Sequence, residues 1–293
     1  MYYRRKLLLA LIQGLDRPVD KIDLQKYLFL VCVDQERPAY EFIPHRFGCY
    51  SFQIDADKRT LTKYGLIKDV ENWQLSGETR YLHLLTPPDR ERVGKVVAAF
   101  RRLRGRKLIQ HVYRAYPYYA INSQIREQVL TPSEQGLVEA ARPKPASARL
   151  FTIGYEGKTL ESYLNQLIVN RVKMLCDVRK NPVSMKFGFS KNPLIRAVNA
   201  VGIEYVHLPA LGIASDKRRE LETQDDYDAL FAEYRQTTLA KNSTALDNVV
   251  ALIRKHGRLA LTCFESGAHQ CHRGCVVDAL TARSDFSHRV IHL

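Results

Sequence analysis

Leu259-Ala260-Leu261-Thr262-Cys263-Phe264-Glu265-Ser266-Gly267-Ala268-His269-Gln270-Cys271-His272-Arg273-Gly274-Cys275 decides how the C-terminal half of this 293-residue chain is read. Leu259 to Phe264 is an apolar run too short for a stable helix, and it fits a strand covered on both faces. A polar turn follows, and helical spacing resumes from about Cys271 to Arg283. A strand that passes through a turn into a helix is the repeating unit of a parallel sheet. The unit recurs upstream. Leu150-Phe151-Thr152-Ile153 ends at Gly154 and leads to a helix around 159–170, and Val172 to Val178 reads as a second strand before a helix near 192–201. Ile203 to Leu208 is extended, an acidic helical stretch covers about 224–241, residues 243–256 form another helix, and Val290-Ile291-His292 is a candidate last strand. The alternation predicts an α/β fold over 150–293, an open, mainly parallel, Rossmann-like sheet.

In such a sheet ligands bind beyond the carboxyl ends of the strands. Three strands end in polar groups: Gly154-Tyr155-Glu156, Asp177-Val178-Arg179, and Glu265. The helix opening at Cys271-His272-Arg273 adds N–H groups and positive potential suited to phosphate or carboxylate. Asp177, Glu265, Cys271 and His272 are therefore the candidate catalytic residues. The carboxylates and imidazole suit proton transfer, and a thiol at a helix start has its pKa lowered toward nucleophilic use. Gly154, Tyr155, Arg179, Ser184 and Arg273 are the candidate anion-binding residues, with the arginines able to grip bidentately.

Plainer readings stand beside these. Cys176 and Cys263 lie within apolar strands and read as core thiols. Asp177 and Arg179, two apart on a strand, share a face and can simply pair with each other. Cys271 can be a small residue packing the helix start. Cys263, His269, Cys271, His272 and Cys275 offer zinc donors but lack paired Cys-x-x-Cys knuckles, so no metal is expected. There is no G-x-G-x-x-G and no Walker loop, so no cofactor is expected either.

Before residue 150 the pattern changes. Ala140 to Arg149 holds Pro143 and Pro145 among small and basic residues, which sets a linker at 142–149 between domains 1–141 and 150–293. Leu7, Leu8, Leu11 and Ile12 share one helical face. Pro18-Val19-Asp20 opens a second helix carrying Leu24, Tyr27, Leu28 and Val31, and Ser51 is the expected cap of a third that Gly65 stops. Trp73-Gln74-Leu75, the turn Ser76-Gly77-Glu78, and Tyr81 to Leu85 read as a hairpin. Helices followed by a hairpin predict a separate N-terminal winged-helix domain, mostly α. A further helix runs from Pro87 into Arg101-Arg102-Leu103-Arg104-Gly105-Arg106-Lys107.

The formal charge is +14, with 45 Lys+Arg against 31 Asp+Glu. Residues 1–150 carry 26 basic and 16 acidic side chains, a surplus of +10, and 101–150 alone hold +7. Such a surface suits a polyanion, and nucleic acid, DNA above RNA, is the expected partner. Arg101, Arg102, Arg104, Arg106 and Lys107 are the candidate nucleic-acid-binding residues, against a solvated helix face as the plain alternative. Tyr113, Tyr116, Tyr118 and Tyr119 suit base stacking or, somewhat better, a packed helix pair. No apolar run approaches the roughly 18 residues a membrane span needs. Met1 to Ile12 lacks a signal-peptide cleavage site, and the six scattered cysteines fit a reducing cytoplasm. A homodimer is compatible with all of this.

Two resemblances add to the residue reading. Thr152-Ile153-Gly154-Tyr155, Asp177-Val178-Arg179 with Pro182 and Ser184, Gly202-Ile203 with Tyr205, Leu211-Gly212, Cys263-Phe264-Glu265 and Cys271-His272-Arg273 occur in order over 150–285. In them the chain resembles the family called domain of unknown function 488. It has Tyr155-Glu156 where that family usually shows His-Ser, and Ile213 where it shows a second glycine. The resemblance implies a compact α/β domain with these polar groups clustered, and no settled reaction. Lys6-Leu7-Leu8, Leu24-Gln25-Lys26, Phe47 to Ser51, Leu61 to Ile67 and Tyr113 to Pro117 resemble bacterial winged-helix segments, which implies nucleic-acid or protein binding.

Together these features predict a nucleic-acid-associated enzyme, of hydrolase or lyase type, acting on a base, sugar or nucleotide-derived anionic substrate. The rivals are a winged-helix DNA-binding regulator with an α/β ligand-sensing domain, and an interaction module of a defence system.

Overall fold

A computed structural model describes residues 1–68, 70–144, 147–214 and 223–293. The chain divides into two compact units, Met1–Arg142 and Pro143–Leu293. Pro145 and Ala146 of the expected linker lie outside the described residues.

The first unit is mostly helical with one small hairpin. In α1 (Tyr3–Leu15) every residue from Leu7 to Ile12 is buried, so the apolar surface runs nearly round the helix and marks it as central. The Asp20 carboxylate caps α2 (Lys21–Cys32) by accepting from the Ile22 and Asp23 amides. β1 (Ile43–His45) and β2 (Gly48–Tyr50) pair antiparallel through the turn at Arg46-Phe47. Gly48 closes that turn at φ +91°, and a Cβ there would meet the Tyr113 ring at 2.5 Å. Ser51 precedes α3 (Phe52–Lys63), but its side chain makes no capping bond. α4 (Pro87–Phe100), α5 (Arg106–Ala115), α6 (Arg126–Val129) and α7 (Pro132–Ala140) complete the unit. α4 packs on α1 and α2, and α5 packs on α2.

The hairpin expected at 73–85 does not form. Trp73 exchanges both backbone hydrogen bonds with Val19, at 3.0 and 2.8 Å, and Leu75 bridges Ile67, so Trp73-Leu75 is engaged elsewhere. Tyr81–Leu84 winds into a 3-10 turn against α1. There the Gln13 side chain donates to the Thr79 carbonyl and accepts from the Leu82 amide. This tertiary partner satisfies backbone groups that a hairpin would have paired. Without that wing, the winged-helix expectation gives way to a helical unit whose hairpin lies at 43–50. Trp73 is 1% exposed, with the Lys58 ammonium 5.0 Å from its ring centroid.

The second unit is α/β, as the alternation predicts. Its elements are β3 (Arg149–Gly154), α8 (Leu160–Val169), β4 (Met174–Asp177), α9 (Lys191–Asn199), β5 (Glu204–His207), α10 (Gln224–Tyr234), α11 (Ser243–His256), β6 (Arg258–Cys263), α12 (His272–Thr281) and β7 (Arg289–His292). The acidic stretch expected as one helix breaks after Tyr234 into a π-helical turn, Arg235–Leu239. The five strands form one open sheet in the order β5-β4-β6-β3-β7, and every pairing is parallel. Right-handed crossovers put α8 and α9 on one face and α10, α11 and α12 on the other. The chain leaves β4 toward β5 and leaves neighbouring β6 toward β7. Between β4 and β6 the connections part, which is the position where open α/β sheets bind ligands. No helix among the described residues is long and apolar enough to cross a membrane.

Candidate functional site

Asp177 ends β4 and is completely buried. One of its oxygens accepts from the Arg179 backbone amide at 3.0 Å and from Arg179 Nε at 2.9 Å. The other accepts from Arg179 Nη2 at 2.6 Å and from the Tyr205 hydroxyl at 2.7 Å. Arg179 Nη1 reaches the Tyr155 hydroxyl at 2.9 Å and the Phe189 carbonyl at 2.8 Å. Burial by itself disfavours the guanidinium charge, but the Asp177 hydrogen bonds and charge overcome it and raise the Arg179 pKa. Burial, then the Asp177 charge, pushes the Tyr205 hydroxyl up. The plain alternative of an Asp177–Arg179 pair is therefore what the geometry contains. The pair forms a rigid block whose surface, through Tyr155 and Arg179, is one wall of a cavity.

That cavity, about 320 Å³, opens at the carboxyl ends of β4 and β6. Tyr155, Arg179, Lys180, Asn181 and Ser184 line it together with Cys263 and His272, and Val183, Met185 and Phe264 add apolar surface. Two glycines let its loops converge. A Cβ on Gly154 would lie 1.7 Å from the Glu265 carbonyl oxygen, and one on Gly212 would lie 2.2 Å from the Lys180 nitrogen. The turn after β3 is fastened to the turn after β6, because the Tyr155 and Glu156 amides both donate to the Phe264 carbonyl. Lys158 and Lys186 donate to the Gly154 and Tyr155 carbonyls, at 3.1 and 2.9 Å. Ser184 sits in a loop knit to Ser190, whose hydroxyl accepts from the Ser184 amide and donates to its carbonyl.

By the pleat, Cys263 points to the opposite sheet face from Asp177, toward α12. His272 Nε2 lies 3.0 Å from the Val178 carbonyl oxygen. A carbonyl only accepts, so Nε2 carries the hydrogen, and in the neutral ring Nδ1 keeps its lone pair. Nδ1 faces Cys263 Sγ at 3.7 Å and Cys271 Sγ at 3.9 Å. Glu265 Oε2 is 3.3 Å from Cys263 Sγ. The thiol pKa lowering expected for Cys271 is reversed: burial, then the hydrogen bond and charge of Cys263, pushes it well up. Arg273 is 1% exposed, and Nη1 and Nη2 donate to the Glu265 and Ser266 carbonyls at 2.5 and 2.7 Å. It fastens the turn after β6 to the first turn of α12. Phe189, Lys180 and Asn181 are not among the residues expected from the sequence, and Tyr205 enters there only through the family resemblance. The polar run directly after Asp177-Val178-Arg179 was the signal available for Lys180 and Asn181.

Residues 159–280 match the model of a family described as domain of unknown function DUF488. The C-terminal unit carries a DUF488 domain. No curated protein and no solved structure matches the chain. The DUF488 match covers β4, β5, β6 and most of α12, and so includes Asp177, Arg179, Cys263, Cys271 and His272. Gly154 and Tyr155 precede it; Gly154 pairs with Cys263 in the sheet, and the Tyr155 amide donates to the Phe264 carbonyl.

In the first unit, Arg101, Arg102 and Arg104 lie in the turn between α4 and α5, exposed, and line one concavity with Asp16 and Arg17. Arg17, which the sequence reading passed over, donates to the Arg101 carbonyl at 2.7 Å. Arg106 instead hydrogen-bonds the Gln128 carbonyl, and Lys107 is exposed outside the concavity. Tyr113 is buried, and Tyr116 and Tyr119 set their rings against Phe29, so these tyrosines pack the core.

Proposed function

We propose that this protein is a nucleic-acid-associated enzyme, of hydrolase or lyase type, whose C-terminal unit acts on a base, sugar or nucleotide-derived anionic substrate. The observation that carries the reading is the make-up of the cavity beyond β4 and β6. Lys180, Asn181 and Ser184 supply charge and hydrogen bonds, while Val183, Met185 and Phe264 supply an apolar rim. A nucleotide matches that division, with an anionic phosphate at one end and a planar base at the other. A neighbouring cavity of about 580 Å³ shares Lys180 and Ile213, which gives room for more than one nucleotide. Glu265 beside Cys263 is the group placed for proton transfer, and His272 stands on the cavity wall. Asp177 stands behind the cavity wall and acts through Arg179, as a positioning residue. Arg17, Arg101, Arg102 and Arg104 give the first unit a cationic concavity for a phosphate backbone, with DNA the favoured polymer.

The test incubates the full chain with labelled single- and double-stranded DNA and RNA oligonucleotides and with nucleoside monophosphates. Anisotropy across a salt series reads binding, and mass spectrometry reads products. Replacing Arg101, Arg102 and Arg104 by Gln is expected to weaken polymer binding at all sequences, flattening the salt slope by about 1 for each phosphate no longer neutralised. Lys180→Ala is expected to abolish product formation while polymer affinity stays. Nucleotide binding without any product would replace the enzyme by a ligand-sensing regulator, and no binding of either class overturns the reading.

A further inference from the structure

Two thiols and an imidazole converge where β6 ends and α12 begins. Cys263, Cys271 and His272 are each about 1% exposed, and their donor atoms all lie within 4.8 Å of one another. In a tetrahedral zinc site, bonds of about 2.3 Å to sulfur and 2.0–2.1 Å to nitrogen put the sulfur and nitrogen roughly 3.6 Å apart. The distances here, 3.7 and 3.9 Å, are within a few tenths of an ångström of that spacing. The imidazole is already oriented as a ligand: Nε2–H is given to the Val178 carbonyl and the Nδ1 lone pair faces both sulfurs. Metal-bound histidines hold their second nitrogen in this way.

The cage is held from outside. Arg273 takes the Glu265 and Ser266 carbonyls, and the Cys271 amide donates to the Ala268 carbonyl at 3.3 Å. Gly274 lets the loop lie against the helix start, since a Cβ there would meet the Ala268 oxygen at 2.4 Å. His269 and Cys275, the other donors in this stretch, stand outside the cluster.

We infer that Cys263, Cys271 and His272 bind one zinc ion, with the fourth position directed to the cavity that Cys263 and His272 help to line. Thiolate and imidazole donors select zinc over magnesium or calcium. Binding forms two zinc–sulfur bonds and one zinc–nitrogen bond. The two thiol protons leave to solvent, and His272 keeps its Nε2 hydrogen. Three protein ligands with an open fourth position are the arrangement of a catalytic zinc, which would there activate water or polarise a substrate oxygen. Glu265, whose Oε2 lies 3.3 Å from Cys263 Sγ, would be the acceptor for a bound water. The inference deepens the proposed activity, but its first readout is metal content, so either can fail without the other.

The test uses the full chain, purified with reductant and without chelator. Zinc is counted by elemental analysis, its affinity is measured by competition with a chromophoric chelator, and cobalt(II) is then exchanged in. The expected result is one metal per chain, with tetrahedral cobalt bands in the visible and thiolate-to-cobalt charge transfer in the near ultraviolet. Cys271→Ser and His272→Gln are expected to weaken zinc binding at least about tenfold. Cys275→Ser and Glu265→Gln are expected to keep stoichiometric zinc. Absence of metal from the folded wild-type chain, a cobalt spectrum without thiolate charge transfer, or zinc retained by Cys271→Ser overturns the site. Loss of zinc in Glu265→Gln overturns the open fourth position.

Discussion

At the scale of single residues, the second unit depends on a few atoms with no tolerance. Asp177 neutralises a guanidinium that is 5% exposed, so its loss strands a buried charge. Removing one partner of such a pair costs about 3–5 kcal/mol, and Asp177→Asn is expected to lower stability by that amount in urea titration. Gly154→Ala forces a methyl group into the Glu265 carbonyl, where only backbone movement can relieve the overlap. A loss of about 3 kcal/mol or more is expected, with the turn after β6 displaced and metal affinity reduced along with it. His45 carries a different liability. Its Nε2 is buried without a hydrogen-bond partner among the described residues, and its ring stacks on Tyr50. Burial, aided by Arg46, Lys26 and Lys21 and opposed by Asp55, lowers its pKa from 6.5 to about 4. The unfolded chain therefore binds a proton that the folded one refuses, and His45 makes stability fall as pH drops from about 6.5 to about 4. His45→Gln is expected to flatten that part of the pH–stability curve measured by chemical denaturation.

At the scale of elements, the sheet was legible because its strands are short, apolar and flanked by turns. Leu259 to Phe264 and Val172 to Val178 leave no other reading, and even the edge strand β7 falls where Val290-Ile291-His292 places it. The segment Tyr81 to Leu85 fails for a physical reason: its alternation fits a strand, but Gln13 on α1 offers its backbone a better partner. Gln13→Ala is expected to cost about 1 kcal/mol and to raise amide exchange at Leu82. Local propensity cannot see a hydrogen bond supplied from 69 residues away. The candidate site was legible in its membership and less so in its connections. Asp177 and Arg179 were read as site residues, yet nothing in their spacing reveals that Tyr205 and Tyr155 complete a closed network with them. Cys263 and Cys271 are not spaced as a knuckle. They meet because Arg273 and Gly274 fold the intervening loop back onto α12.

At the scale of the whole molecule, charge and chemistry are divided between two units, each with its own core. Residues 1–142 carry 24 basic and 16 acidic side chains, a surplus of +8, against +6 in the α/β unit, which also holds the buried thiols and the carboxylate beside the cavity, and with separate cores a variant that damages one unit need not damage the other. Chemical denaturation of the full chain is expected to depart from a single two-state transition, since domains of this size unfold as separate cooperative blocks.

Trp73 makes that division observable. It is the sole tryptophan of the sequence and lies buried in the helical unit beneath the Lys58 ammonium. Excited beyond the tyrosine absorption band, the chain has one emitting side chain, and it lies in the helical unit. Emission from Trp73 follows the helical half without a label, while Gly154→Ala or Asp177→Asn shifts only the circular-dichroism transition of the other half. An experimenter holds an internal reference signal against which every change at the cavity can be scored in the same cuvette.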